Sequence, residues 1–298
     1  MRNAAILCIL LCVTSPAFAQ LSYPPEMLGA DVEAYHTSDD VDLNIYIFKP
    51  DNFSPRKRYP AAIFFFGGGW RRGSPEQFLE QSKYLASRGM FALVADYRVA
   101  DRNGAKVTDC LSDAKAAIRW TRANAKRLGI AAQRFVACGG SAGGHLAAAT
   151  GLVPGFEHDD QELDISSVPN ALVLFNPATV LAPYNGIPMD EKRIKSLRER
   201  IGADNKSVSP IHHVKPGNPP TLIFHGKADT TVPIETSIAF TKAMNDAGND
   251  CTLRQYDDEA HGFFNFGRGD GSNYIDTVTA MDRVFVKLGY LSGEPAVR

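Results

Sequence analysis

The chain has 298 residues, 44% of them hydrophobic, with 32 basic and 33 acidic side chains and a formal net charge of −1. This length and apolar content suit one large α/β domain and do not call for two. The near-neutral balance, with no basic stripe, excludes a nucleic-acid surface, and no apolar run beyond the first residues reaches the length a bilayer requires.

Arg2 opens a short apolar core, "AAILCILLCV", and "AFA" stands before Gln20. This is the pattern of a secretory signal over residues 1–19, so residues 20–298 are expected as the mature, secreted or periplasmic chain. Its removal takes Cys8 and Cys12. Cys110, Cys138 and Cys251 remain, an odd number that supplies no disulfide framework but leaves room for one bridge.

Next, "VDLNIYIFKP" (41–50) alternates with period two and predicts a half-exposed strand. "YPAAIFFF" (59–66) is a buried strand. "SPEQFLEQSKYLASRG" (74–89) predicts a helix with Ser74 as N-cap, Pro75 at its first position and Gly89 at its end. "MFALVADY" is the next strand, and the segment 106–129 is a long amphipathic helix closed by Gly129. "QRFVACGG" is a strand, with "SAGGHLAAATG" (141–151) as the helix directly after it. "ALVLFNP", "PTLIFHG" and "CTLRQYD" are later strands. Helices are expected over 233–248 and 274–290. Strands alternating with helical patterns predict an α/β fold, a mostly parallel sheet with helices on both faces. Residues 178–209 are less regular and carry a charged helical stretch, "DEKRIKSLRERIG", expected as a small cap-like insertion over one end of the sheet.

The sharpest motif is G-x-S-x-G at Gly139–Gly143. It lies between a predicted strand and a predicted helix, the context of a nucleophile elbow. The turn is tight, hence the glycines around Ser141, and it sets the serine at a helix N-terminus that favours a developing anion. A serine hydroxyl needs a base, and the base an orienting carboxylate. In the order serine, acid, histidine, two loops past strand ends supply them: Asp229 in "TLIFHGKADTTVP" and His261 in "CTLRQYDDEAHGFFNF". Ser141 is thus the expected nucleophile, Asp229 the orienter and His261 the general base. Asp257, Asp258 and Glu259 stand close enough to His261 in sequence to be rival orienters.

The motifs "FGGGW", "DYR", "AIRWTRANA", "GGSAGGHLA", "HGKADTTVP" and "AHGF" occur in this order. From about residue 40 to its end the sequence resembles the α/β-hydrolase superfamily, in the esterase/lipase branch related to hormone-sensitive lipase and secreted bacterial carbohydrate esterases. The resemblance implies that the glycine loop faces the elbow. Its amides at Gly68 and Gly69, with Gly67 as a further candidate, would join the Ala142 amide as oxyanion donors. Loss of one such donor typically costs about 3 kcal/mol in the transition state. The family usually places a histidine before these glycines, where it braces the loop; this chain has Phe66.

The expected activity is hydrolysis of carboxylic esters, with short acyl (acetyl) or feruloyl groups on carbohydrates or small alcohols as substrates and no metal or organic cofactor. Trp70 and Tyr184 are candidate pocket residues, with ordinary packing as the alternative. His145 and His225 are expected to be structural, His212 and His213 to be loop residues without a third metal ligand, and Cys138 to lie in a core strand. Three other functions use or carry the same fold. A prolyl-oligopeptidase-like peptidase usually brings a propeller for which this chain has no room. An aryl formamidase usually keeps the histidine-led loop. An inactive binding module typically loses the serine or the histidine.

Overall fold

The computed structural model describes residues 23–187 and 189–297; the expected signal at 1–19 lies outside them. In chain order the elements are β1 (Asp31–Ser38), β2 (Val41–Phe48), β3 (Tyr59–Phe65), α1 (Leu79–Ser87), β4 (Phe91–Ala95), α2 (Ala100–Asn103), α3 (Val107–Ala123) and α4 (Ala125–Leu128). They continue with β5 (Ile130–Gly140), α5 (Ala142–Leu152), β6 (Ala171–Phe175), α6 (Glu191–Ile201), β7 (Thr221–Gly226), α7 (Ile234–Asp246), β8 (Cys251–Tyr256) and α8 (Ser272–Lys287).

Among the described residues, eight strands form one sheet in the order β1-β2-β4-β3-β5-β6-β7-β8. β2 runs antiparallel to both neighbours, and every other pair is parallel. The central strands are buried along their whole length, as continuous apolar runs covered on both faces should be. Two hydrophobic cores result. One joins the sheet to α3, α5 and α7 through residues such as Leu111, Ile118, Leu146 and Phe240. The other joins it to α1 and α8 through Leu85, Val278, Met281 and Phe285.

The expected α/β architecture is therefore present, with local departures. The edge strand β1 was not predicted, because it buries only Tyr35 fully and carries little apolar signal. The helix expected from Ser74 begins as a 3₁₀ turn over Pro75–Phe78, with Ser74 Oγ accepting from the Glu76 amide at 3.4 Å, before α1 starts. The helix expected over 106–129 breaks at Asn124, where one residue leaves helical geometry between α3 and α4. Cys110, Cys138 and Cys251 are buried and free.

Parallel strands carry their loops to a common edge. The loops after β3, β5, β7 and β8 hold the glycine loop, Ser141, Asp229 and His261 respectively, at the carboxyl edge where open α/β sheets gather their sites.

Candidate active site

Ser141 stands between the last residue of β5 and the first of α5 with φ 54° and ψ −113°. A non-glycine residue held there costs of order 1–3 kcal/mol. Three backbone hydrogen bonds hold it: the Ser141 amide donates to the Phe175 carbonyl (2.8 Å), and the Ser141 carbonyl accepts from His145 (3.0 Å) and Ala178 (3.3 Å). The turn closes only because Gly143 lacks a Cβ, which would lie 1.9 Å from the Phe65 carbonyl oxygen. α5 is buried at every residue, so its N-terminal amides approach the site from inside the core.

The Ser141 hydroxyl donates to His261 Nε2 at 2.9 Å, and His261 Nδ1 donates to Asp229 Oδ2 at 2.7 Å. Asp229 is buried; its Oδ1 accepts from the Thr231 and Val232 amides, both at 2.9 Å. Burial pushes this carboxyl up, but hydrogen bonds from His225, His261 and the Val232 amide outweigh it and hold it well below the ordinary carboxylate range. A carboxylate that stays ionised fixes the His261 tautomer and leaves Nε2 free to accept the serine proton. None of the rival acids is the partner of His261 Nδ1, which Asp229 holds: Asp257 pairs with Lys227 at 2.6 Å, and Glu259 accepts from Asn273 at 2.6 Å.

The glycine loop packs against the elbow: a Cβ on Gly67 would lie 3.4 Å from that of Ser141. Gly68 has φ 125°, and a Cβ there would lie 2.0 Å from the Arg72 carbonyl oxygen, so only glycine fits. The Gly67 amide is taken: it donates to Gln77 Oε1 at 2.6 Å, which corrects its candidacy as an oxyanion donor. The amides of Gly68, Gly69 and Ala142 meet no protein acceptor among the described residues.

Phe66 replaces the usual histidine, and the bracing comes from other groups. The buried Phe66 ring stacks on Tyr97 with centroids 4.1 Å apart, and the Tyr97 hydroxyl donates to the Phe66 carbonyl at 2.6 Å. Gln77 also donates to Asn265 Oδ1 (2.9 Å), and Asn265 donates to the Gly262 carbonyl (2.8 Å), so the glycine loop is tied to the His261 loop. Trp70 Nε1 donates to His145 Nδ1 (3.2 Å), while His145 Nε2 donates to the Val208 carbonyl (2.8 Å). Burial pushes His145 down to about 4, against the opposing hydrogen bond to Val208, so the ring is neutral and can accept from Trp70.

Ser141 opens on two spaces. A cavity of about 410 Å³ is walled by Trp70, Ala178, Val180, Leu181 and Leu197, with Lys192 and Arg200 of α6 along one side. A groove of about 500 Å³ includes His261, Gly68, Gly69 and Arg200. α6, from the irregular 178–209 stretch, therefore lines one side of the cavity. Trp70 lines the cavity as well as bracing the loop. Tyr184 does not line it: it packs edge-on against His212, 5.3 Å between centroids, which corrects its candidacy.

His212 and His213 bond loop carbonyls, at Pro183 and Lys206, and no cluster among the described residues is suited to a metal ion. Cys138 is core strand. His225 does more than local packing: it donates to the Val232 carbonyl at 2.8 Å and lies 3.2 Å from Asp229 Oδ2. Gln77, Asn265 and Arg200 were not singled out from the sequence. The contacts that tie them to the glycine loop and to each other span ten or more residues, so no local spacing marks them.

The family model described as BD-FAE matches residues 43–244. The chain is 30% identical to Esterase LipC of Mycobacterium tuberculosis, covering 64% of this chain and 49% of that protein. It is 29% identical to an acetylxylan esterase of Xylanibacter ruminicola, covering 80% of this chain and 47% of the relative. The chain thus spans about half the length of these curated relatives. The structure of esterase 2 of Thermogutta terrifontis superposes with a TM-score of 0.88 at 50% identity, covering 93% of this chain and 99% of that one. This likeness shows an α/β-hydrolase fold of the esterase type.

The depressed Asp229 carboxyl makes a stability prediction. Its contribution is full above the unfolded value near 4 and is lost as pH falls toward the lower folded value. The stability gap between wild type and Asp229→Asn, measured by urea unfolding, is expected to stay constant from pH 7 to 5 and to shrink by about 1 kcal/mol near pH 3. A gap that widens toward acid contradicts this.

Proposed function

The chain belongs to the BD-FAE family, and from that premise we propose that it is an exported serine hydrolase of short-chain carboxylic esters. The observation that carries the reading is the continuous run from Ser141 Oγ through His261 to buried Asp229, opening on an apolar cavity.

The proposed chemistry follows from these groups. Ser141 Oγ forms a bond to the acyl carbon while His261 Nε2 takes its proton, and the carbonyl π pair moves onto oxygen. The Gly68, Gly69 and Ala142 amides receive that oxyanion. Asp229 stabilises the imidazolium. Collapse breaks the bond to the alcohol oxygen, to which His261 returns the proton. Water, deprotonated by His261, then attacks the acyl-enzyme and releases the acid and Ser141. Every step uses side chains and amides of this chain.

The acyl group is placed in the cavity of about 410 Å³ beside Ser141, lined by Leu197 and Trp70, and its short length is taken from a structural relative. The structural relative at 50% identity has been captured with propionate and with butyrate bound. The acetylxylan esterase relative supports an acetyl group on a carbohydrate as one natural form of substrate. Export through residues 1–19 belongs to the same proposal, and N-terminal sequencing of the exported protein is expected to begin at Gln20.

The expected activity profile is p-nitrophenyl acetate, propionate and butyrate cleaved efficiently, with kcat/KM for palmitate at least about a hundredfold lower. Ser141→Ala is expected to remove at least about a thousandfold of kcat. Full acetate turnover by Ser141→Ala contradicts the proposal. Gln77→Ala leaves the Gly67 amide unsatisfied and the two loops untied; steady-state kinetics should show kcat lower by about tenfold with KM little changed. An unaltered kcat would remove Gln77 from the account.

A further inference from the structure

The alcohol side of the site carries charge that the hydrolytic steps do not use. His261 Nε2 must return its proton to the departing alcohol oxygen, so the alcohol lies on the His261 side of Ser141. The groove of about 500 Å³ includes His261, whereas the apolar cavity does not. The groove therefore takes the alcohol and the cavity the acyl group.

Three arginines, Arg71, Arg72 and Arg200, line this groove together with one acidic residue, Asp101. Asp101 engages Arg71 only at 3.4 Å, and both side chains are largely exposed, a pair of little energetic weight. Arg72 is exposed and engages no side-chain partner among the described residues. Arg200 is held in place: its Nη2 donates to the Gly69 carbonyl at 2.8 Å, and its guanidinium lies 5.6 Å from the Trp70 ring centroid. Its Nε is buried and makes no hydrogen bond. Burial and the neighbouring Arg71 charge both lower the Arg200 pKa, so the two cations are close enough to oppose each other. A neutral alcohol leaves that opposition in place. An oxyanion relieves it and can be held by planar, multidentate N–H donors.

We propose that this groove is a subsite for an anionic group, a carboxylate or sulfate, on the alcohol part of the ester, formed by Arg71, Arg72 and Arg200. The proposal rests on the ester-hydrolase reading above and names its substrate class: acyl groups carried on acidic alcohols, such as acidic sugar units.

The test compares two acetyl esters of matched shape, 4-acetoxybenzoate and 4-acetoxybenzamide, followed by acetate release at low ionic strength. Wild type is expected to prefer the carboxylate by roughly tenfold in kcat/KM, a ratio that shrinks with added salt. In the Arg71→Gln/Arg72→Gln double variant the ratio should fall to about one or two. Lys242→Gln, which removes an exposed charge paired with Asp246 on α7, should keep the wild-type ratio. As a readout independent of any variant, 4-hydroxybenzoate should inhibit wild type more strongly than 4-hydroxybenzamide. Equal turnover of the two esters by wild type, or an undiminished preference in the double variant, overturns the subsite while leaving the esterase reading intact. No turnover of either ester sinks the esterase reading, and the subsite with it.

Discussion

The site depends on one close approach, in which the first turn of α5 meets the end of β3 with no side chain between them. At Gly143 a single added carbon would lie within 2 Å of the Phe65 carbonyl. That contact brings the strand carrying the glycine loop against the strand carrying Ser141. Beside this contact Ser141 stands in a backbone conformation that few non-glycine residues adopt. The strain at Ser141 is held by hydrogen bonds to β6 and to the chain just beyond it, and the aromatic layer of Phe78, Phe175 and Phe264 packs nearby. Stability stored in the two cores thus maintains a locally unfavourable turn, a common arrangement at reactive positions.

The glycine loop shows a second economy of the fold. A histidine before the glycines would brace it directly. Here the bracing is distributed over Tyr97, Gln77, the Trp70–His145 pair and Arg200, each reaching a different part of the loop. Because Gln77 also reaches Asn265, the glycine loop and the His261 loop are fixed relative to each other through side chains. Such networks are effective when every member is satisfied. The neutral, fully buried His145 meets that condition, with one ring nitrogen donating and the other accepting.

Much of this was legible in the sequence. The buried strands read as apolar runs because both sheet faces are covered, and the elbow, the acid and the histidine follow strand ends that periodicity alone can place. What the sequence did not carry was whatever depends on contacts across the chain. β1 is an edge strand with one fully buried side chain, so alternation was weak. Gly67 stood as a further donor candidate beside Gly68 and Gly69, but Gln77, ten positions later, occupies its amide. Tyr184 looked like a pocket aromatic, but packs against His212 instead. Arg200 lay in a charged helical stretch read only as part of a small insertion over one end of the sheet; its placement over the Gly69 carbonyl is set by how α6 crosses the site.

The central claim is that Ser141 is activated as a nucleophile by His261 and Asp229. The most direct measurement is mass spectrometry of the protein after brief exposure to paraoxon, with peptide mapping of the adduct. Esterase 2 of Thermogutta terrifontis is phosphorylated by the same reagent. The account predicts a single phosphoryl adduct, on Ser141, whose rate of formation collapses in His261→Ala. An unmodified protein, an adduct on another residue, or an undiminished rate in His261→Ala would contradict it.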